Sequence, residues 1–121
     1  MSYDDNNIFD KILRGEIPCK KIYEDDYVLS FHDVNPHKKI NALIIPKGKY
    51  IDLDDFNAKA SDKEIVGLMK GITIVAKKLG VSVDGGKGYR ILANISENGG
   101  QEVPHLHFHL FGGEKVGKMV E

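Results

Sequence analysis

The stretch His105–Phe111 alternates strictly between histidine and large apolar residues. In a β-strand successive side chains point to opposite faces of the sheet. One face of this strand would then carry three apolar side chains suited to a core, and the other would carry the imidazoles of His105, His107 and His109. Three imidazoles in line are difficult to explain by packing. The sequence therefore predicts a functional site on this strand.

The chain has 121 residues, which is enough for one compact domain with its own core. Its formal net charge is −1 with acids and bases interspersed, so we expect neither a nucleic acid polymer nor a membrane as partner. The lone Cys19 cannot form an internal disulfide and favours a reducing compartment. No apolar run resembles a secretory signal or a membrane span. We therefore expect a cytoplasmic, single-domain protein.

Apolar periodicity predicts two helices, one short and one long. The short helix follows Asn7, which can cap it, and covers Ile8–Arg14. The long helix covers Ser61–Leu79, begins with the serine–glutamate spacing of a capping box, and ends at Gly80. A further helical turn at Asp52–Phe56 is a weaker expectation.

The long helix contains two glycines that lie off its apolar stripe, Gly67 and Gly71. Each costs a helix interior ~1 kcal/mol relative to alanine. A close helix–helix approach, for example at a dimer axis, would account for them, and so would simple tolerance in a long stable helix. The core stripe itself is expected to consist of Ile65, Leu68, Met69, Ile72, Val75, Ala76 and Leu79.

Strand patterns separated by turn residues complete the chain. Strands paired through hairpins, together with two helices, predict an α+β fold with a mainly antiparallel five-stranded sheet. The domain core is expected to span about residues 7–113, with short flexible termini. The expected strands are Lys21–Glu24, Tyr27–Phe31, Ile40–Ile45, Gly88–Ala93 and His105–Phe111.

Zinc binding is one chemistry that the three histidines could support, because histidines at i and i+2 on a strand can share a metal ion. The Cα atoms of His105 and His109 would lie ~13 Å apart in a straight strand. An imidazole and its Zn–N bond reach only ~6–7 Å from each Cα. A fourth ligand would have to come from Asp33 or Glu102. Zinc therefore remains an alternative that the spacing disfavours.

Nucleophilic catalysis by the middle histidine, His107, fits the pattern better. A neutral imidazole can attack phosphorus or a carbonyl carbon, and neighbouring imidazoles disfavour its protonation. Backbone N–H groups of the adjacent Gly99–Gly100 loop could hold phosphate oxygens. Asp33 could bind ribose hydroxyls or form an Asx-turn with the residues that follow it. His32 and His37 are isolated and are expected to lie on the surface.

The segment His105–Phe111 resembles the His-φ-His-φ-His-φ-φ signature of the histidine triad (HIT) superfamily, where φ is an apolar residue. The resemblance extends over about residues 7–113 and is closest to the histidine triad nucleotide-binding protein (HINT) branch. Segments in the order seen in that branch are Asn7–Ile12, Glu16–Pro18, Tyr23–Asp26, Phe31–Pro36, Ile45–Lys47 and Asn94 with Gly99–Gln101.

The resemblance implies a homodimer with a continuous sheet and a purine nucleotide as ligand. It also implies cleavage of nucleoside 5′-phosphoramidates or acyl-adenylates to AMP, without a metal or other cofactor. By motif position His107 is the nucleophile on the α-phosphorus and His105 supports it. Phosphate oxygens would be held by His109, Gln101 and the N–H of Gly100.

The resemblance also assigns the nucleoside contacts. Asp33 would bind the ribose hydroxyls, and Asn94 would contact the phosphate side of the ribose. The purine would be sandwiched by Ile8, Phe9, Ile17 and Val34.

Three positions depart from the family pattern. Lys49 stands where most members have a fourth histidine, and it could neutralise phosphate charge but cannot copy a histidine proton relay. Glu102 replaces a serine that helps to protonate the leaving amine; it could serve as a general acid when protonated and would repel phosphate when ionised. Pro104 replaces an aromatic residue. A nucleotide-binding or interaction module with little or no turnover is therefore the alternative function.

Overall fold

The computed structural model describes residues 2–36 and 38–118. Its five strands form one sheet in the order β1-β2-β3-β5-β4, and every neighbouring pair is antiparallel. This confirms the predicted α+β class and the predicted sheet. Within the described ranges, no helix is both long enough and apolar enough to cross a membrane. The elements are α1 (Ile8–Leu13), β1 (Lys21–Glu24), β2 (Val28–His32), β3 (Ile40–Pro46), α2 (Leu53–Lys59), α3 (Asp62–Lys78), β4 (Arg90–Leu92) and β5 (Phe108–Gly112).

The helix count differs from the prediction because α2 is a second short helix. The helical turn expected at Asp52–Phe56 is present and continues to Lys59. The Asp52 side chain accepts a hydrogen bond from the N–H of Asp55, which caps the helix at its start. Near the other end, the ammonium of Lys59 lies 2.8 Å from the Asp55 carboxylate. The cap at Asp52 and the ion pair between Lys59 and Asp55 therefore stabilise a helix in a segment whose apolar periodicity is weak.

The two faces of the sheet have different partners. Directly opposite residues of antiparallel strands share a face, and the register puts Phe31, Leu43 and His109 in one row. Phe9 of α1 packs onto this face. The opposite face is covered by α3, so that the main core lies on one side of the sheet and His109 on the other. That core includes Val28, Ala42, Ile44, Leu68, Ile72, Val75, Phe108 and Leu110.

Both ends of α3 form as predicted. Ser61 and Glu64 make the reciprocal hydrogen bonds of a capping box. After the helix, Gly80 has a φ of 74°, the left-handed conformation that commonly ends helices. Met69 is 57 % exposed, so its predicted place in the core stripe is wrong. It lies about 100° around the helix from the buried Leu68, which turns it towards solvent.

The glycines of α3 face the start of β2, which corrects the helix–helix interpretation. A Cβ built at Gly71 would lie 3.0 Å from a methyl group of Val28. One built at Gly67 would lie 2.6 Å from the ring of Tyr27. The absence of side chains at these two positions therefore lets the helix approach the sheet within the same chain.

The triple-histidine segment is a strand from Phe108 onwards, so the strand predicted over His105–Phe111 is too long. The N–H of Leu106 donates to the carbonyl oxygen of Tyr50 at 2.8 Å, away from the ladder of β5 with β3. The predicted alternation of side chains between the two faces nevertheless continues through residues 105–107, which precede the strand. The side chains buried in the core on the α3 side are those of Leu106, Phe108 and Leu110.

Gly67→Ala is expected to destabilise the protein even though alanine is the better helix former. The new Cβ would lie 2.6 Å from Cγ and 2.8 Å from Cβ of Tyr27, and this Cβ cannot move without moving the backbone. We expect a loss of about 1–3 kcal/mol in the free energy of unfolding, measured by urea denaturation. In a Tyr27→Gly background, which removes both of these atoms, the same substitution should be neutral or stabilising. A Gly67→Ala protein as stable as wild type would contradict the close approach.

Candidate active site

A cavity of about 1230 Å³ opens on the sheet face that α3 does not cover. Phe31 and Leu43 contribute to its floor, and α1 and residues 17–20 and 33–36 contribute to its walls. It brings together residues that lie far apart in the chain. The predicted site residues that line it are Ile8, Phe9, Ile17, Asp33, Val34, Asn94, Gly100, Glu102, His107 and His109.

His107 borders the cavity, and the backbone sets its tautomer. Its Nδ1 lies 2.7 Å from the carbonyl oxygen of His105. Because a carbonyl oxygen can only accept, Nδ1 carries the hydrogen and Nε2 of the neutral ring keeps its lone pair. Burial lowers the pKa of His107, although the hydrogen bond to His105 and the carboxylates of Asp33 and Glu102 act in the opposite direction. The ring is therefore neutral at pH 7 and suited to nucleophilic attack through Nε2.

Aromatic rings hold the His107 imidazole in place. The ring centroid of Phe9 lies 4.9 Å away and that of His109 lies 5.2 Å away, both edge to face. His109 in turn stacks on Phe111 with an interplanar angle of 11°. The imidazoles of His107 and His109 are thus adjacent, as the alternation predicted.

His105 is fully buried and uses both ring nitrogens within the protein. Its Nε2 lies 2.9 Å from the carbonyl oxygen of Pro46 and must donate to it, so Nδ1 accepts from the hydroxyl of Tyr3 at 2.6 Å. Burial lowers the pKa of His105 to about 4, and the charge of His107 is the smallest contribution. We expected neighbouring imidazoles to disfavour each other's protonation. This expectation is corrected, because desolvation is the main cause of the lowered pKa.

The peptide group between His105 and Leu106 is fixed at both ends. Its carbonyl oxygen accepts from Nδ1 of His107, and its N–H donates to the carbonyl oxygen of Tyr50 at 2.8 Å. His105 consequently orients the His107 ring through its backbone, while its own ring anchors that backbone. The chain just after β3 contributes Tyr50 to this arrangement, a role that its side chain does not reveal in the sequence.

Lys49 is not among the described residues that line the cavity. Its Nζ lies 2.7 Å from Oδ1 of Asp5 and 6.0 Å from the ring centroid of Tyr3. Tyr3 and Asp5 thus make specific contacts although they precede the expected domain core, and the expectation of short flexible termini stays a prediction. A phosphate contact by Lys49 remains a prediction, and it would require the lysine to leave Asp5.

The N–H groups of Gly99 and Gly100 are hydrogen-bonded within their own loop. They donate to carbonyl oxygens of the same loop at 3.2 and 3.1 Å. These bonds close the turns of the loop, so the predicted contact of the N–H groups with phosphate stays a prediction that would require them to break. The carboxamide of Gln101 donates to the carbonyl oxygens of Ile51 and Val103 at 2.6 and 3.0 Å. Its predicted phosphate contact stays a prediction that would require these bonds to break.

Polar residues meet at the other side of the cavity. Oδ1 of Asp33 accepts from the N–H of Asn35 at 3.0 Å, so the Asx-turn is confirmed in a residue that also lines the cavity. His32 is exposed, as expected, and lines the cavity as well. His37 lies outside the described residues. The Asx-turn therefore leaves Asp33 at the cavity, and its contact with ribose hydroxyls stays a prediction.

Asn41 is a cavity residue that the sequence reasoning missed. It is 3 % exposed, and neither its Nδ2 nor its Oδ1 has a hydrogen-bond partner in the part of the chain that the structure describes. Unpaired buried polar groups are costly and call for an explanation such as a functional role. The available signal was one polar residue inside the apolar run Ile40–Ile45.

The side-chain arrangement gives no support to the zinc alternative. Across residues 2–36 and 38–118, no three His, Cys, Asp or Glu side chains are grouped so that they could hold a metal ion. Both ring nitrogens of His105 are bonded within the protein, and Nδ1 of His107 faces a carbonyl oxygen. The histidines are therefore held by hydrogen bonds in an arrangement unlike a coordination sphere.

The buried imidazole of His105 is expected to make the fold less stable in mild acid. Its pKa is 6.5 without the fold and about 4 within it, so the unfolded chain binds more protons between these values. The free energy of unfolding then falls as the pH falls through this window, by about 2 kcal/mol from pH 7 to pH 5 for this residue. Urea denaturation at each pH measures it. His105→Gln should remove most of this dependence, and an unchanged slope in that variant would refute the assignment.

Comparison with known proteins agrees with this architecture. The HIT domain family model matches residues 14–116. An uncharacterised HIT-like protein of Azospirillum brasilense is 50% identical over 119 residues, which cover 98% of this chain and 95% of the relative. A second, from Helicobacter pylori, is 45% identical over 109 residues, which cover 90% and 98%.

Solved structures give the same result. A HIT family hydrolase from Clostridium thermocellum matches with a TM-score of 0.85 and 34% identity, over 98% of this chain and 99% of that one. A histidine triad protein from Clostridium difficile matches with a TM-score of 0.80 and 40% identity, over 98% of both chains. Sequence, fold and the paired imidazoles thus lead to one assignment: the chain belongs to the HIT domain family.

Proposed function

We propose that this chain is a purine nucleotide hydrolase that cleaves nucleoside 5′-phosphoramidates or acyl-adenylates to AMP. The observation that carries the proposal is the state of His107, which borders the cavity as a neutral ring with Nδ1 donating to a backbone carbonyl. Its Nε2 is left as a nucleophile. The HIT family hydrolases among similar structures support the reaction class.

The reaction would proceed in two displacements at phosphorus. Nε2 of His107 attacks the α-phosphorus, the bond from phosphorus to the leaving amine or carboxylate breaks, and a nucleotidyl-histidine forms. A leaving amine takes a proton as it departs, and the carboxyl of Glu102 lines the cavity where it could supply one. Water then attacks the same phosphorus and gives up a proton, to the Glu102 carboxylate where that group protonated the leaving amine and otherwise to solvent. The P–Nε2 bond breaks and AMP is released. His107 returns to its neutral form.

The nucleotidyl-histidine carries a positive charge on its ring, because Nδ1 keeps its hydrogen while Nε2 bonds to phosphorus. The carbonyl oxygen of His105, 2.7 Å from Nδ1, is placed to stabilise that charge. A carboxylate in its place would raise the pKa of the ring and favour the protonated, unreactive form. The backbone carbonyl therefore orients the nucleophile while leaving it neutral.

The cavity offers matching surfaces for the three parts of a nucleotide. Apolar side chains at the mouth remain partly exposed, Ile8 by 45% and Val34 by 87%, and a flat base would cover them. The carboxylate of Asp33 is suited to ribose hydroxyls. His109 and Asn94 line the cavity and are suited to the phosphate.

A nucleotide-binding module with little turnover is the second candidate, and one observation favours it. Glu102 is an exposed carboxylate on the cavity lining, where it would repel a phosphate at neutral pH. Lys49, the nearest substitute for the family histidine, is paired with Asp5. This candidate predicts AMP binding without hydrolysis.

Wild-type protein is expected to release AMP from adenosine phosphoramidate, and His107→Ala is expected to lose at least about a thousandfold in kcat because the nucleophile is gone. Chromatographic detection of AMP measures both. Calorimetric AMP binding by the variant serves as the control for an intact cavity. Turnover that is equal in both proteins would refute the role of His107. AMP binding with no wild-type turnover would favour the binding module, and loss of activity on chelation would favour zinc.

We also propose a homodimer with a continuous sheet, supported by the outer face of α3 and by the position of β4. Val66, Met69 and Ile74 are 48%, 57% and 36% exposed on that helix. β4 is an edge strand of the sheet, and edge strands can pair with another chain. A second copy that adds its β4 to this edge would continue the sheet. We propose that the two α3 helices also meet over these apolar side chains in the dimer.

Met69→Glu is expected to shift the protein from dimer to monomer, because a charge would be buried without a partner at the centre of the proposed interface. Sedimentation velocity measures the shift. Val83→Glu provides the matched control, since Val83 is 85% exposed in the connection after α3 and should leave the dimer intact. A wild-type monomer, or a Met69→Glu dimer of unchanged affinity, would contradict the proposal.

A further inference from the structure

Tyr3 is hydrogen-bonded to His105, the buried histidine of the site. Its hydroxyl lies 2.6 Å from Nδ1 of His105, and the two rings meet edge to face with centroids 5.7 Å apart. This contact joins residues 102 positions apart in the chain. Tyr3 is not among the described residues that line the cavity, so it would act on the nucleotide only through other residues.

The direction of this hydrogen bond follows from the other side of the ring. Nε2 of His105 faces the carbonyl oxygen of Pro46 at 2.9 Å and must donate, which leaves Nδ1 as an acceptor. The hydroxyl of Tyr3 therefore donates. Burial raises the pKa of Tyr3 to about 12, so the hydroxyl keeps its hydrogen at neutral pH. Tyr3 is thus a permanent donor to His105.

Several contacts hold the segment that carries Tyr3. Lys49 pairs with Oδ1 of Asp5 at 2.7 Å and lies 6.0 Å from the Tyr3 ring centroid. The guanidinium of Arg14 donates to the carbonyl oxygen of Asp5 at 2.8 Å. Lys49 stands where the family resemblance places a fourth histidine, and here it reaches the N-terminal segment.

We propose that Tyr3 is a positioning residue for the nucleophile, acting through His105, and that Lys49 holds the segment that delivers it. The proposal rests on the reaction assigned to His107 above. Tyr3 and Pro46 fix the His105 ring at its two nitrogens. The fixed ring sets the direction of the His105 carbonyl, and that carbonyl orients His107 in the tautomer that exposes the Nε2 lone pair.

Tyr3→Phe removes the hydroxyl and keeps the ring, so it tests the hydrogen bond by itself. We expect kcat for adenosine phosphoramidate to fall about tenfold, the effect of one buried hydrogen bond. KM should stay within about twofold, because the nucleotide is not contacted by Tyr3. Tyr23→Phe is the matched control: its hydroxyl donates to Asp25 at 2.7 Å on the hairpin, and its loss should leave kcat unchanged.

Nitrogen-15 NMR of the imidazoles tests the same link without turnover. In wild-type protein, His105 should be the Nε2–H tautomer and His107 the Nδ1–H tautomer. In Tyr3→Phe, the Nδ1 resonance of His105 should move downfield as its hydrogen bond is lost, while Tyr23→Phe should not move it. If wild-type protein lacks turnover, the proposed function fails and this measurement still decides the contact. An unmoved resonance together with wild-type kcat would overturn the role of Tyr3.

Lys49→Met tests the second part. Lys59→Met is the control, because Lys59 is also an exposed lysine and pairs with Asp55 at 2.8 Å. We expect kcat to fall about threefold with KM unchanged, and the His105 Nδ1 resonance to move in the same direction as in Tyr3→Phe. A raised KM with wild-type kcat would place Lys49 at the phosphate instead. That outcome, or no change relative to Lys59→Met, would overturn the role given to Lys49.

Discussion

The candidate site depends on the hydrogen bond from Nδ1 of His107 to the carbonyl oxygen of His105. In a regular antiparallel ladder, backbone carbonyls are directed at neighbouring strands or away from them, not at a side chain of their own strand. Because β5 begins at Phe108, the peptide after His105 can turn and accept from a side chain two residues later. The irregular backbone that shortens the predicted strand therefore creates the tautomer that the chemistry requires.

Burial, and not repulsion among imidazoles, keeps these rings neutral. Desolvation is the largest cause of the lowered pKa of both His105 and His107. Neutral partners then complete the hydrogen bonds: the phenol of Tyr3 and the peptide carbonyls of Pro46 and His105. A buried carboxylate in the same place would stabilise the imidazolium form and take the nucleophile out of use at neutral pH. The polar groups around His107 thus orient it without charging it.

Local patterns in the sequence were sufficient for the strand parity, the capping box at Ser61 and the end of α3 at Gly80. These features depend on residues within a few positions of each other. The contacts that the sequence did not reveal are distant ones. Tyr3 contacts His105, which is 102 positions away in the chain. Gly67 faces Tyr27, which lies in the turn before β2. The residues next to Tyr3 and Gly67 in the sequence show no periodicity from which these contacts could be inferred.

Most site residues named by the family resemblance line one cavity, but the resemblance does not reveal which groups already use their hydrogen bonds within the protein. The N–H of Gly100 and the carboxamide of Gln101 fit a phosphate-binding pattern by position. In the structure they close and tether their own loop. A motif records which atoms are present and leaves open where their hydrogen bonds go, which is decided by the fold around them.

The N-terminal segment and the site stabilise each other, and the two contributions are unequal. An exposed ion pair such as Lys49–Asp5 is screened by water and contributes too little to order a chain terminus by itself. Detaching Tyr3 would leave Nδ1 of His105 buried without its donor, at a cost of about 1–3 kcal/mol. The buried hydrogen bond is therefore the main restraint on the segment, and Lys49 adds to it from the surface. A lysine could not replace the phenol, because its ammonium would bring a charge to a buried imidazole.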